Sequence, residues 1–134
     1  MTRYVELEVV PAAIEHGIGV IPWSPLRGGL LSGALRKQSE GTADRSSEGR
    51  SSEGLEAHRT TIEAYEKLCA EIGQDPANVA LAWLLSRPAV TAPIIGATKL
   101  AHLEDAIAAT SLILDEKELE RLEAPYVPHP VLGH

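Results

Sequence analysis

Phenylalanine is missing from this sequence, and cysteine occurs once, as Cys69. One thiol cannot form an internal disulfide, which excludes a fold stapled by cystines and fits a reducing, cytoplasmic setting. No apolar run approaches the roughly 18 residues that cross a membrane. Basic residues are in deficit, with 12 Lys and Arg against 19 Asp and Glu and a net charge of −7. That balance argues against binding DNA or RNA through bulk electrostatics. The first ten residues, MTRYVELEVV, hold two Glu and no apolar core, so they do not read as a secretory signal. The missing Phe has no evident physical reason.

What is present suits one globular domain: 134 residues, 44% hydrophobic and 23% charged. Residues 5–16 carry Val5, Val9, Ala12, Ala13 and Ile14 at spacings that place them on a helix face, and Gly17 is a natural stop. Pro11 fits only if the helix begins near it. Ile18 to Pro22 is a short apolar run, expected as a strand buried on both faces. Residues 36–54 contain no large apolar side chain after Leu35 and repeat RSSEG in tandem, at 45–49 and 50–54. Composition predicts a long flexible loop there.

Helical periodicity returns from Leu55 to Ile72, with Ile62, Tyr65, Leu68, Cys69 and Ile72 on one face and Gly73 ending it. Asp75 followed by Pro76 is a strong helix start, and Arg87-Pro88 a stop. Ala92 to Ile95 is a second candidate for a buried strand. Thr98 is placed to cap a helix over Lys99 to Thr110. Asp115 and Glu118 have the spacing of a capping box. The tail, 125–134, is too rich in proline for a helix or central strand. Strands alternating with helices point to parallel βα units. Two strands alone cannot cover their faces or edges, so the chain reads as a portion of something larger.

In parallel α/β folds, chemistry sits where strands end. Two such places occur here: Trp23-Ser24-Pro25-Leu26-Arg27-Gly28-Gly29, and Gly96-Ala97-Thr98-Lys99 at a helix start. Both supply backbone N–H groups, hydroxyls and a cation, which suit a phosphate. Neither matches a P-loop or GxGxxG pattern. Taken singly, each has a plainer reading. A Trp after a strand is usually a core or rim residue, a Gly-Gly pair is usually a turn, and a lone Lys is usually solvated. His16, His58, His102, His129 and His134 show no metal-ligand spacing, so no metal site is expected. Cys69, beside Leu68 and Ile72 on one helix face, is expected to be inert core. No Ser/His/Asp or Cys/His set is apparent.

Together the segments are far more specific. EVVPAAIEHGIGVIPWSPLRGGLLSG, QDPANVALAWLLSRPAVTAPIIGATKLAHLEDAIAA and YVPHPVLGH resemble the C-terminal part of an aldo-keto reductase, in the branch that includes bacterial enzymes and channel β-subunits. The likeness covers nearly all the chain except 36–54. It implies a (β/α)8 barrel, of which about two strands in eight are present. It also implies NADP(H) as cofactor and reduction of aldehydes or ketones to alcohols.

By this resemblance Trp23 ends the seventh strand and stacks on the nicotinamide. Ser24, Pro25, Leu26 and Gly28 line the pyrophosphate. The 36–54 loop forms a clasp, with Arg45 or equally Arg50 as its basic residue. Gly96, Thr98 and Lys99 hold the adenosine 2′-phosphate. His102 stands where the family often has Arg or Gln, and Asp105-Ala106 where it commonly has Glu-Asn, so the Asn contact to adenine is absent and Lys99 supplies the phosphate charge. The family's catalytic Asp, Tyr, Lys and His map onto no residue here, since Tyr4, Tyr65 and Tyr126 lie in other segments. No catalytic residue is therefore assigned, and the isolated chain is expected to be inactive. Two alternatives stay open: a noncatalytic module that assembles with a separate N-terminal half-barrel, and a truncated reading frame without function. The expected partners are NADPH and a small carbonyl substrate, with no nucleic acid and no membrane.

Overall fold

The computed structural model describes residues 4–42 and 49–125. A 3-10 turn, Tyr4–Glu6, is followed by α1 (Val9–Glu15), α2 (Ala34–Ser39), α3 (Gly49–Ala57), α4 (Arg59–Ile72), α5 (Pro76–Leu85), α6 (Leu100–Ala109) and α7 (Glu116–Glu123). Between α1 and α2 the chain runs extended and then turns. Between α5 and α6 a second extended segment lies beside the first.

These two segments are joined by two isolated parallel bridges, Val20 to Val90 and Trp23 to Ile94. Val20 N–H donates to Ala89 O at 2.8 Å, Thr91 N–H to Val20 O at 2.9 Å, and Ile94 N–H to Pro22 O at 2.9 Å. Donors from both segments are what a parallel pair requires. The pairing and its direction are as expected, but the burial is not. Ile18, Ile21 and Ile94 are 60%, 59% and 56% exposed. A parallel strand is buried only where neighbouring strands and helices cover it. Among the described residues this pair has no third strand beside it.

The helix starts follow local chemistry. Asp75 accepts from the Ala77 N–H at 2.9 Å with Pro76 at the first helical position. At α7 the capping box is complete: Asp115 accepts from Glu118 N–H at 2.8 Å, and Glu118 accepts from Asp115 N–H at 2.8 Å. Gly73, at φ 75°, closes α4 in the left-handed conformation that glycine adopts without strain.

Four further expectations need correction. Residues 36–54 are helical at both ends, because α2 covers 34–39 and α3 takes in the second RSSEG copy from Gly49. Leu30 and Ala34 below, and Leu55 and Ile62 beyond, form a buried cluster that holds those ends. The stretch 55–72 is two helices, broken at His58. The stretch 5–16 is a 3-10 turn and a short helix, in which Ala13 is buried while Val5, Val9 and Ile14 are exposed. Finally, Lys99 and not Thr98 is the N-cap of α6, and it makes no side-chain capping bond.

The main core lies between α4, α5 and α7, around Leu68, Cys69, Val79 and Leu122. Each such apolar side chain contributes about 1.5–3 kcal/mol when fully buried. Tyr65 donates its hydroxyl to the Pro76 carbonyl and so ties α4 to the start of α5. Burial pushes the Cys69 thiol up to about 11, which fits the inert core role expected of it. Of the tail 125–134, only Pro125 is among the described residues.

Candidate functional site

The Trp23–Ile94 bridge sets the geometry of the site. Because the two segments are parallel and this bridge lies at their C-terminal ends, the turn after Trp23 and the loop after Ile94 leave from the same edge. Two stretches separated by most of the chain thus become neighbours. The Trp23 ring is 80% exposed, a flat apolar surface offered to solvent at that edge.

The turn that follows is unusually wound. Ser24 and Arg27 have φ of 50° and 48°, and Gly28 and Gly29 have φ of 64° and 95°. Glycine adopts such angles freely, but Ser and Arg do so at a cost, and side chains in strained backbone cluster at functional sites. Arg27 N–H donates to Ser24 O at 2.9 Å and Gly29 N–H to Leu26 O at 3.0 Å, so the turn is internally bonded. Its apolar residues anchor it from behind: Leu26 and Leu31 pack on the main core, while Leu30 is buried in the second cluster. Ser24 and Gly28 face solvent, and Pro25 and Leu26 are half-buried.

After Ile94, residues 95–99 run without regular structure into α6, and Gly96, Thr98 and Lys99 are all exposed. The first amides of any helix lack intrahelical acceptors. Here no side chain of Lys99 caps them. His102 N–H donates to Lys99 O at 3.1 Å, so that amide is used within the first turn. The His102 and Asp105 side chains are exposed three positions apart on α6. Arg45 lies outside the described residues. Among the described residues no group of His, Cys, Asp and Glu could hold a metal ion. No helix among them is long and apolar enough to cross a membrane.

A dinucleotide phosphate fits this edge in kind. The strained turn presents backbone and two glycines where a Cβ would otherwise stand, Arg27 and Lys99 supply positive charge, and the start of α6 supplies the positive end of a helix dipole. One further residue carries no positive signal in the sequence. Glu66, on α4, accepts the Leu35 N–H at 2.8 Å and the Arg36 N–H at 3.0 Å. The signal available was negative: Gly33, which precedes α2, has no side chain to cap with.

Comparison with known proteins identifies the family. The model of the aldo/keto reductase family matches residues 1–126. The uncharacterized oxidoreductase YrpG of Bacillus subtilis is 43% identical over 97% of this chain, which spans 38% of that protein. The glycerol dehydrogenase of Gluconobacter oxydans superposes with a TM-score of 0.68 at 23% identity, over 96% of this chain and 41% of that one. The thermostable aldo-keto reductase Tm1743, solved with the inhibitor epalrestat, superposes with a TM-score of 0.61 at 24% identity, over 90% of this chain and 34% of that one. The fold therefore fits a portion of a (β/α)8 barrel, helix-rich and with few strands, and the chain spans about two fifths of its relatives' length. The chain belongs to the aldo/keto reductase family.

Proposed function

We propose that this chain is the cofactor-binding part of an NADP(H)-dependent oxidoreductase that interconverts aldehydes or ketones and alcohols. The observation that carries the reading is the parallel bridge between Trp23 and Ile94, which brings the wound turn and the α6 loop to one edge. Bound NADPH supplies the hydride that reduces a carbonyl carbon. This chain's residues bind and orient. Trp23 provides the stacking face, with little rotamer freedom to lose on binding. Ser24, Pro25, Leu26 and Gly28 form the wall for the pyrophosphate. Gly96, Thr98 and Lys99, with His102 and Asp105 beyond them, form the wall for the adenosine phosphate, and Lys99 favours NADP over NAD. Arg45 is the proposed basic residue of the clasp.

Reduction also needs a proton donor at the carbonyl oxygen. Tyr65 does not serve: it is buried and donates to the Pro76 carbonyl. The donor belongs to the remainder of the barrel, supplied by the same polypeptide or by a separate N-terminal half. A specific observation favours such a complement: Ile18, Ile21, Leu100, Ile107 and Ile113 are 59–90% exposed. Apolar surface of that extent on one domain calls for cover.

Equilibrium titration of the 134-residue chain with NADPH, read by tryptophan fluorescence, tests the binding role. Quenching in the wild type and its loss in Trp23→Phe is the expected result, because Trp83 is half-buried against the main core whereas Trp23 is exposed. No binding, or equal quenching in the variant, overturns the assignment. The chain alone should not oxidise NADPH with a model aldehyde.

A further inference from the structure

The N-terminus of α2 has an unusual cap. Position Gly33 precedes the helix at φ 80° and makes no side-chain capping bond. The amides that an N-cap Ser, Thr or Asp would ordinarily take are those of the second and third helical residues. Here they are Leu35 and Arg36, and both are taken by the two carboxylate oxygens of Glu66, at 2.8 and 3.0 Å. A carboxylate at this end of a helix also opposes the positive end of the helix dipole. Arg36 then reaches across to Asp75 at 3.2 Å, the residue that caps α5. One short helix is thereby fastened to the starts and flanks of two others.

That helix follows directly from the wound turn. Ser32 Oγ–H donates to Gly29 O at 2.8 Å, and Lys37 Nζ of α2 donates to Ser32 Oγ at 3.1 Å. The chain of bonds therefore runs from Glu66 through α2 and Ser32 to Gly29, within the stretch that bears the strained residues. The turn's conformation is costly at Ser24 and Arg27 and needs external support.

We propose that Glu66 is a positioning residue: by capping α2 from α4 it holds the Ser24–Ser32 turn in the form that meets the cofactor. It touches no ligand itself. The expected effect on NADPH affinity rests on the cofactor reading above, whereas the effect on the turn does not.

Amide hydrogen exchange, with and without NADPH, on wild type, Glu66→Ala and Glu66→Gln separates the two. Without cofactor, exchange in Glu66→Ala should quicken at Leu35, Arg36 and the amides of residues 24–32, while the amides of α5 and α7 keep their rates. The Gln variant, which retains one acceptor oxygen, should be intermediate and serves alone if the Ala variant does not fold. Exchange raised evenly throughout the protein, or unchanged in the turn, overturns the proposal. In the presence of NADPH, the protection of Arg27–Gly29 should need about twofold more cofactor in Glu66→Gln and about fivefold more in Glu66→Ala, the latter being the size of effect that a lost helix cap produces. An unchanged requirement for cofactor, with the turn loosened, overturns the positioning role. If wild type shows no protection by NADPH, the cofactor reading fails, and the exchange rates without cofactor still decide what Glu66 does to the turn.

Discussion

A Cβ placed on Gly19 would stand 2.1 Å from Thr91 Oγ1 and 3.1 Å from Thr91 Cβ. The two extended segments approach that closely because Val20 and Thr91 are bonded at 2.9 Å immediately beside this point. Gly19 is thus the side-chain-free position that lets the parallel pair form, and the pair sets where both proposed cofactor loops begin. Gly19→Ala should cost about 1–3 kcal/mol, the usual range for forcing extra volume into a packed contact. Adding Thr91→Ala should recover most of that loss, since the hydroxyl is the worst contact. Urea denaturation of the four proteins in the cycle measures it. Additive losses in the double variant would refute the steric account.

The join between α5 and α7 makes a second prediction. Glu123 Oε1 accepts from the Trp83 indole N–H at 3.0 Å and from Arg87 Nη1 at 2.7 Å. The Arg87 guanidinium also lies over the Trp83 ring, 4.9 Å from its centroid. The ion pair is only about a quarter exposed, at 25% and 27%, so water screens it less than a surface pair. Glu123→Ala should lower stability by about 1–2 kcal/mol, through one charge-assisted bond and a stranded indole N–H. Thermal melting with Trp83 emission as the probe reads both the loss and the changed environment. An unchanged melting temperature would show that the cluster has no net effect on folding.

How much of this was legible in the sequence follows from the range of the interactions concerned. Helix starts at Asp75 and Asp115 could be read because the cap and the amide it binds lie within three residues of each other. The parallel direction of the strand pair, and the two loops at its end, followed from element order. The burial of Ile18, Ile21 and Ile94 did not follow, because a strand's apolar run shows what it can bury, and burial itself depends on neighbours. The ends of the 36–54 stretch were misread for the opposite reason. Their polar composition hides helices that are held by Leu30 and Ile62, residues outside the stretch. Glu66 was illegible because its partners, Leu35 and Arg36, contribute only backbone amides, which are the same in every sequence.

The proposed preference for NADP over NAD rests on Lys99 and can be tested apart from binding itself. Lys99 is exposed at the start of α6, where it has no capping role to lose. Lys99→Ala should weaken NADPH binding about tenfold, as expected for losing one charge-assisted contact to a phosphate, and leave NADH nearly unchanged. Parallel titrations with the two cofactors give the ratio. Equal losses for both would place Lys99 away from the 2′-phosphate.

His58 makes stability depend on pH in a definite direction. Burial first, with nearby positive charge including that of Arg27 adding to it, holds its imidazole below the ordinary value of 6.5. In the unfolded chain the group regains that ordinary value and binds more protons. Folding stability must then rise with pH across the interval between the two values. Its contribution is complete above 6.5, falls as pH drops through the lower folded value, and is constant below that. Glu56 and Glu71 act in a separate, more acid window, since hydrogen bonds from Arg59 and Arg121 hold their carboxyls below 4.5. Melting temperatures from about pH 7.5 to about pH 5 cover the interval in which histidine titrates. Wild type should lose stability there, and His58→Gln should be flatter than wild type. Equal slopes in the two proteins would mean that His58 sits in the fold as it does in water, and that the break between α3 and α4 carries no proton linkage.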